Sequence, residues 1–232
     1  MSELLDATGA DDEHRAAAVA RAAELLLAGE VVVLPTDTVY GIAADAFSTE
    51  ATAALLAAKG RDRAIPLPVM IRTPKQLAGL AATVPSAADH LVAAFWPGPL
   101  TLVLHAQPRL TWDIGASEGT VAIRMPLDAA TLEVIRAVGP LAVTAANAPG
   151  GDAPRSVEDA QHQLGERVAA YLDAGTRPDG ATSTIVDLTR AAPKVLREGA
   201  IPTELVLDVA EGRVDPMSAA ATLAGDETDD GQ

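Results

Sequence analysis

Val31-Val32-Val33-Leu34-Pro35-Thr36-Asp37-Thr38-Val39-Tyr40-Gly41-Ile42 is the stretch from which the fold is read. Its first four residues are apolar, rich in β-branched side chains and uninterrupted, the pattern of a buried strand. Pro35 has no N–H and cannot extend a central strand. Two hydroxyls, a carboxylate and a phenol then fall between Thr36 and Tyr40. Open α/β sheets hold small polar ligands at the carboxyl ends of their strands. The stretch therefore predicts a strand that delivers its polar residues to a binding site.

Outward from it, the chain alternates. Residues 15–28 read as an amphipathic helix closed by Gly29, and a helix is expected from Thr49 to Ala58. Residues 35–41 read as a loop and Pro66 to Ile71 as a strand. Short helices are expected over 74–79 and 86–95, each opened by Thr or Ser near a Pro. Further strands fall at 100–105, 120–124, 141–145, 183–188 and 193–196, with helices at 128–137, 156–163 and 202–210. This order predicts a layered α/β fold. Two Gly/Pro-rich loops, Asn147 to Pro154 and Thr176 to Thr182, interrupt it.

The chain has 232 residues, enough for one well-buried domain. Aromatics are only 3% against 49% hydrophobic residues, so Ala, Leu and Val must build the core. There is no cysteine, which removes disulfides and thiolate metal sites. Of the net charge of −15, much sits at the ends: five acids in residues 1–13 and four in 226–232. Between them, 23 acids face 17 Lys and Arg, without the basic face of a phosphate-backbone binder. These boundaries predict an acidic, disordered tail over 1–13, a domain over 14–212 and a mobile acidic tail over 213–232. No apolar run reaches the roughly 18 residues of a membrane span, and the N-terminus does not read as a signal. A soluble cytoplasmic protein is expected, with no membrane partner and no tight hold on nucleic acid.

Other chemistries lack their motifs. His14, His90, His105 and His162 make neither H-x-x-x-H nor H-E-x-x-H, so no protein-held catalytic metal is expected. No Walker loop and no G-x-S-x-G elbow occurs.

Six motifs in order resemble the YrdC-type threonylcarbamoyl-adenylate synthases. Pro35-Thr36-Asp37-Thr38-Val39-Tyr40-Gly41 is similar to the family's P-T-[DE]-T-V-Y-G, and Lys59-Gly60-Arg61 to its K-x-R. Trp96-Pro97-Gly98-Pro99-Leu100-Thr101, Thr120-Val121-Ala122-Ile123-Arg124-Met125-Pro126, Ser183-Thr184-Ile185-Val186-Asp187 and Leu196-Arg197-Glu198-Gly199 are similar to the others. The resemblance implies a single-domain member: one twisted, mixed sheet with surrounding helices and a concave cleft. Strand ends near 35–41, 120–124, 144–147 and 183 should line it.

The activity so implied joins L-threonine, bicarbonate or CO2, and ATP into threonylcarbamoyl-AMP and pyrophosphate. In the family this product passes to a tRNA threonylcarbamoyl-transferase complex that modifies adenosine 37. Lys59, Arg61 and Asn147 are the implied catalytic residues. ATP would be held by these three with Thr120, Arg155 and Arg197, and L-threonine by Thr38, Arg124 and Ser183. The chemistry suits them: charge builds on phosphate oxygens as pyrophosphate leaves, and Arg offers a planar fork to phosphate or carboxylate. Mg2+ would arrive with the ATP phosphates.

Two positions depart from the family. Where its members show S-x-N followed by x-S-G, this chain reads Thr144-Ala145-Ala146-Asn147-Ala148-Pro149-Gly150, with Ala145 and Pro149 replacing both serines. Thr144 should face away from its neighbour by strand alternation, so it is not an obvious substitute. Ile65 also stands where many members carry a polar residue, and Met70 where some carry His. Two rival readings stay open: a diverged paralogue that binds nucleotide without this reaction, and a double-stranded RNA or ribosome-binding module.

Overall fold

A computed structural model describes residues 1–9, 11–177 and 181–226. Its described residues form a mixed sheet of ten strands in the spatial order β1-β8-β2-β3-β7-β4-β6-β5-β9-β10. The strands are β1 (Glu3–Asp6), β2 (Val32–Leu34), β3 (Gly41–Asp45), β4 (Val69–Met70), β5 (Leu100–His105), β6 (Thr120–Arg124), β7 (Leu141–Ala145), β8 (Ala170–Asp173), β9 (Thr184–Asp187) and β10 (Lys194–Arg197). Around them lie α1 (Asp12–Leu27), α2 (Thr49–Lys59), α3 (Leu77–Leu80), α4 (Ser86–Phe95), α5 (Ala129–Val138), α6 (Val157–Leu164), α7 (Thr203–Ala210) and α8 (Pro216–Asp226).

Alternation along the strands divides the core into two layers. Val31 and Val33 pack with Leu55, Leu91 and Val206 on one face of the sheet. Val32 and Leu34 pack with Leu26, Val134 and Ile135, from α1 and α5, on the other. Burial on both faces explains why residues 31–34 carry no polar side chain.

Three expectations need correction. Among the described residues of 1–13 the chain is not a disordered tail: β1 pairs in parallel with β8, and Ala7 is buried. Arg21 donates to both carboxylate oxygens of Glu3, at 3.0 and 2.7 Å, fixing the strand to α1. Asp11 caps α1, and Asp12 and Glu13 occupy its first turn, where the helix dipole favours acids. At the other end, α8 packs on α4 with Ala219 fully buried, so 216–226 is a docked helix; the remaining tail, 227–232, lies outside the described residues. Finally, the strand expected over Pro66 to Ile71 pairs only at Val69 and Met70, because Pro66 and Pro68 have no N–H for a ladder.

Candidate active site

Strands β2, β6 and β7 end, and β3 and β9 begin, around a cleft of about 440 Å³. Its lining includes Thr38, Lys59, Arg61, Arg124, Asn147, Ser183 and Arg197, seven of the nine side chains named from sequence. That volume lies within the roughly 300–1,000 Å³ of small-molecule pockets.

One wall is built on the loop after β2. Arg124, the last residue of β6, is 4% exposed. Its Nε donates to the Gly98 carbonyl at 3.0 Å, and Nη1 donates to Thr38 Oγ1 at 3.0 Å. Its Nη2 lies 2.6 Å from Asp37 Oδ1 but has no aligned hydrogen bond, and Asp37 Oδ2 has none either. A buried guanidinium is thus held by Gly98, Thr38 and Asp37 in the wall of the cleft. A carboxylate is the group that fork geometry suits. Ser183 and Thr101 share a 2.8 Å hydroxyl contact, and Arg197 donates to the Ser183 carbonyl at 2.7 Å and to its Oγ at 3.1 Å. Gly199 makes this possible, since a Cβ there would overlap the Thr182 carbonyl.

The facing wall is cationic. Lys59 ends α2, Gly60 turns the chain with φ of 62°, and Arg61 follows, so one left-handed residue aims both cations at the cleft. Lys59 Nζ donates to the Asn147 carbonyl and, at 2.5 Å, to its Oδ1. Burial and then the neighbouring Arg61 pull the Lys59 ammonium down to about 8. Burial also lowers Arg61, and burial with nearby Arg124 lowers Arg197. Such desolvated cations are poised to bind an anion.

Arg61 corrects the expectation for Thr144. Its Nη1 donates to Thr144 Oγ1 at 3.1 Å, while Nε and Nη2 donate to the Ile65 and Pro66 carbonyls. Thr144 and Ala145, the last two residues of β7, both line the cleft. The hydroxyl missing at 145 is supplied one residue earlier.

Two predicted residues are not in the cleft. Thr120 opens β6, pairs with His105 and gives its hydroxyl to the Ser117 carbonyl at 2.7 Å; Arg124 ends that strand. Five residues of strand separate the two by about 13 Å. Arg155 donates its Nε to the Arg177 carbonyl at 3.1 Å and is not among the cleft's lining residues.

Sequence reasoning missed a buried clamp behind the loop. Arg177 Nη1 reaches the Thr36 carbonyl at 3.3 Å and Asp128 Oδ2 at 3.1 Å, and its guanidinium lies 5.6 Å from the Tyr40 ring centre. Asp128 also caps α5 through the Thr131 N–H, and Thr131 Oγ1 donates to the Pro35 carbonyl at 2.5 Å. Two successive carbonyls of the binding loop are thereby fixed. Only Tyr40 lay in a motif; nothing local marked Arg177 or Asp128.

A mixed sheet with cations converging from two walls on one cleft defines an α/β protein with an anion-binding site. Residues 24–199 match the Sua5/YciO/YrdC family model, described as "Telomere recombination", and the chain belongs to that family. It is 48% identical over 209 residues to a relative from Mycobacterium tuberculosis, covering 90% of this chain and 95% of that one. It is 40% identical over 190 residues to the threonylcarbamoyl-AMP synthase of Bacillus subtilis, covering 81% of this chain and 55% of the relative. Among solved structures, Pyrococcus abyssi Sua5 complexed with L-threonine superposes with a TM-score of 0.83 at 33% identity, over 90% of this chain and 60% of the archaeal one. Escherichia coli YciO shares the fold, with a TM-score of 0.74 at 22% identity over 86% of this chain and 96% of that one. No helix among the described residues is long and apolar enough to cross a membrane.

Proposed function

We propose that this chain is an L-threonylcarbamoyladenylate synthase, making threonylcarbamoyl-AMP and pyrophosphate from L-threonine, inorganic carbon and ATP. The observation that carries the proposal is Arg124: a buried guanidinium braced by Thr38 and Gly98 that lines the cleft among Lys59, Arg61 and Arg197. The names of the relatives and the threonine complex of the archaeal structure support it.

In this reading the threonine carboxylate docks on Arg124 beside Thr38, with Ser183 close by. Its free amine adds to carbon, and the resulting carbamate oxygen attacks the α-phosphorus of ATP as pyrophosphate leaves. Lys59, Arg61 and Arg197 neutralise the charge that develops on the phosphate oxygens, and Asn147 orients Lys59. Binding the three reactants in one cleft replaces encounters in solution with a fixed geometry. The cleft's described lining contains no carboxylate. Magnesium would accompany the ATP phosphates. The product would serve a tRNA threonylcarbamoyl-transferase complex acting on adenosine 37. A cytoplasmic location follows from that role.

Thr144 as the partner of Arg61 supports the synthase reading over a diverged paralogue, which the Ala145 and Pro149 replacements had favoured. The test is pyrophosphate release from ATP with and without L-threonine and bicarbonate, with mass spectrometry for threonylcarbamoyl-AMP. Release that needs both co-substrates and vanishes in Arg61→Ala is the expected result. ATP binding without threonine-dependent release would overturn the proposal. A salt-sensitive shift with duplex RNA would favour the RNA-binding reading instead.

A further inference from the structure

A second cavity, of about 230 Å³, lies behind the binding loop. It shares one lining residue with the cleft, Thr38. Its other walls are mostly apolar: Ala94, Phe95, Pro97, Pro99, Leu127 and Leu223, from α4, the turn before β5, the turn after β6 and α8. Leu127 is 60% exposed and stands where the cavity meets solvent.

The size and lining restrict the occupant. The cavity is smaller than the roughly 300–1,000 Å³ typical of pockets for drug-sized ligands. Among its described lining residues there is no Lys, Arg or His. The one charged residue is Asp37, whose Oδ2 is buried without a hydrogen-bond partner. A bicarbonate ion there would face the Asp37 carboxylate, and the guanidinium that touches this lining, Arg124, is already paired with Asp37. A small neutral molecule meets neither obstacle. Lys59, Arg61 and Arg197 line the cleft and do not line this cavity.

The geometry points to this chamber as a binding and delivery site for CO2, which the reaction consumes beside Thr38. The inference rests on the synthase reading above. Threonine docked on Arg124 has its amino group one carbon from the carboxylate, next to the residue the two cavities share. As the free amine, its nitrogen lone pair attacks the carbon of CO2 and an N–C bond forms. One C=O π pair moves onto oxygen, and an N–H proton is released to solvent. The product is the carbamate that the next step requires, with no further reactant.

Two measurements test it. In the cold, without carbonic anhydrase, threonine-dependent pyrophosphate release is started with either dissolved CO2 or bicarbonate. Immediate release with CO2, and a lag with bicarbonate that carbonic anhydrase abolishes, is expected. Bicarbonate used without a lag would overturn the inference. The chamber is then filled from two separate helices, by Ala94→Leu and Ala220→Leu. In each folded variant the KM for inorganic carbon should rise about tenfold or more, with the KM for threonine and for ATP unchanged. An unchanged carbon KM in folded variants of an active enzyme overturns the chamber alone, and a raised threonine KM reassigns it to the amino-acid side chain. Wild-type protein without threonine-dependent release would bring down the synthase reading and the chamber's role together.

Discussion

Arg124 Nη2 lies 2.6 Å from Asp37 Oδ1, within a pair whose side chains are 5% and 10% exposed. Asp37 Oδ1 also accepts the Leu127 N–H at 3.0 Å, so the carboxylate ties the turn after β6 to the binding loop. The guanidinium is neutralised from the side away from the cleft, yet its Nη2 remains without a hydrogen-bond partner.

Removing that counter-charge should destabilise the free protein. Breaking a buried ion pair by deleting one partner costs about 3–5 kcal/mol. Asp37→Asn is expected to lower urea-unfolding stability by about that much, and L-threonine should restore more stability to it than to wild type, because the ligand carboxylate replaces the lost charge. Equal stabilisation of both proteins by threonine would place the carboxylate elsewhere.

Substituting the guanidinium itself separates the two substrates. Arg124→Gln removes a charge-assisted contact worth about 1.5–3 kcal/mol, so threonine affinity should fall roughly 10- to 150-fold. ATP binding, measured by titration calorimetry without threonine, should hardly change. A comparable loss for both ligands would mean the cleft had collapsed.

Thr144 should matter more than Ala145. Thr144→Val leaves Arg61 Nη1 without its acceptor and should lower kcat/KM for ATP by about 1.5–3 kcal/mol. Thr144→Ser should retain activity, and Ala145→Ser should change it little. A Val variant as active as wild type would show that Arg61 needs no hydroxyl.

Lys59 sets a pH limit. With its pKa drawn down to about 8, the unliganded enzyme loses this cation above that pH, and kcat/KM for ATP should decline there. The stability sign is opposite. Below about 8 the folded state carries a buried charge that the unfolded chain solvates freely. As pH rises from about 8 toward the ordinary lysine value, the unfolded state holds more protons and this penalty fades. Lys59→Met should therefore abolish turnover while raising Tm near neutral pH. A lowered Tm would show that the Asn147 contacts outweigh the desolvation.

The clamp behind the loop is open to a double-mutant cycle. Arg177→Gln and Asp128→Asn should each raise the KM for threonine, by loosening Pro35 and Thr36, and the double variant should be less impaired than the sum. Additive effects would mean the two residues act independently on the loop.

Much of the fold was readable where the pattern was local. The strands at 100–105, 120–124 and 141–145 and the helices α2 and α4 fall where apolar periodicity and caps put them, within a residue or so. The misses share a cause. β1, β3 and β8 have four or five residues each, contain Gly, Ala or acids of low strand propensity, and exist because a distant partner pairs with them. β3 begins at Gly41, inside the motif read as a loop. α8, rich in alanine, shows its buried face only against α4.

The order of six motifs, the residue types at the ends of the buried strands and the absence of metal or Walker motifs were in the sequence by itself. Through the family resemblance they carry, the motifs were enough to indicate a Sua5/YciO/YrdC α/β domain, because such signals are local. Contacts between residues far apart were not. Thr38 meets Arg124 across 86 positions, Lys59 meets Asn147 across 88 and Arg61 meets Thr144 across 83. Whether Thr144 or Ala145 serves Arg61, why Thr120 stays at the far end of its strand, and where Asp37 places its charge depend on strand register and on where each strand stops. Those follow from the summed packing of two core layers, and only the folded chain decides them.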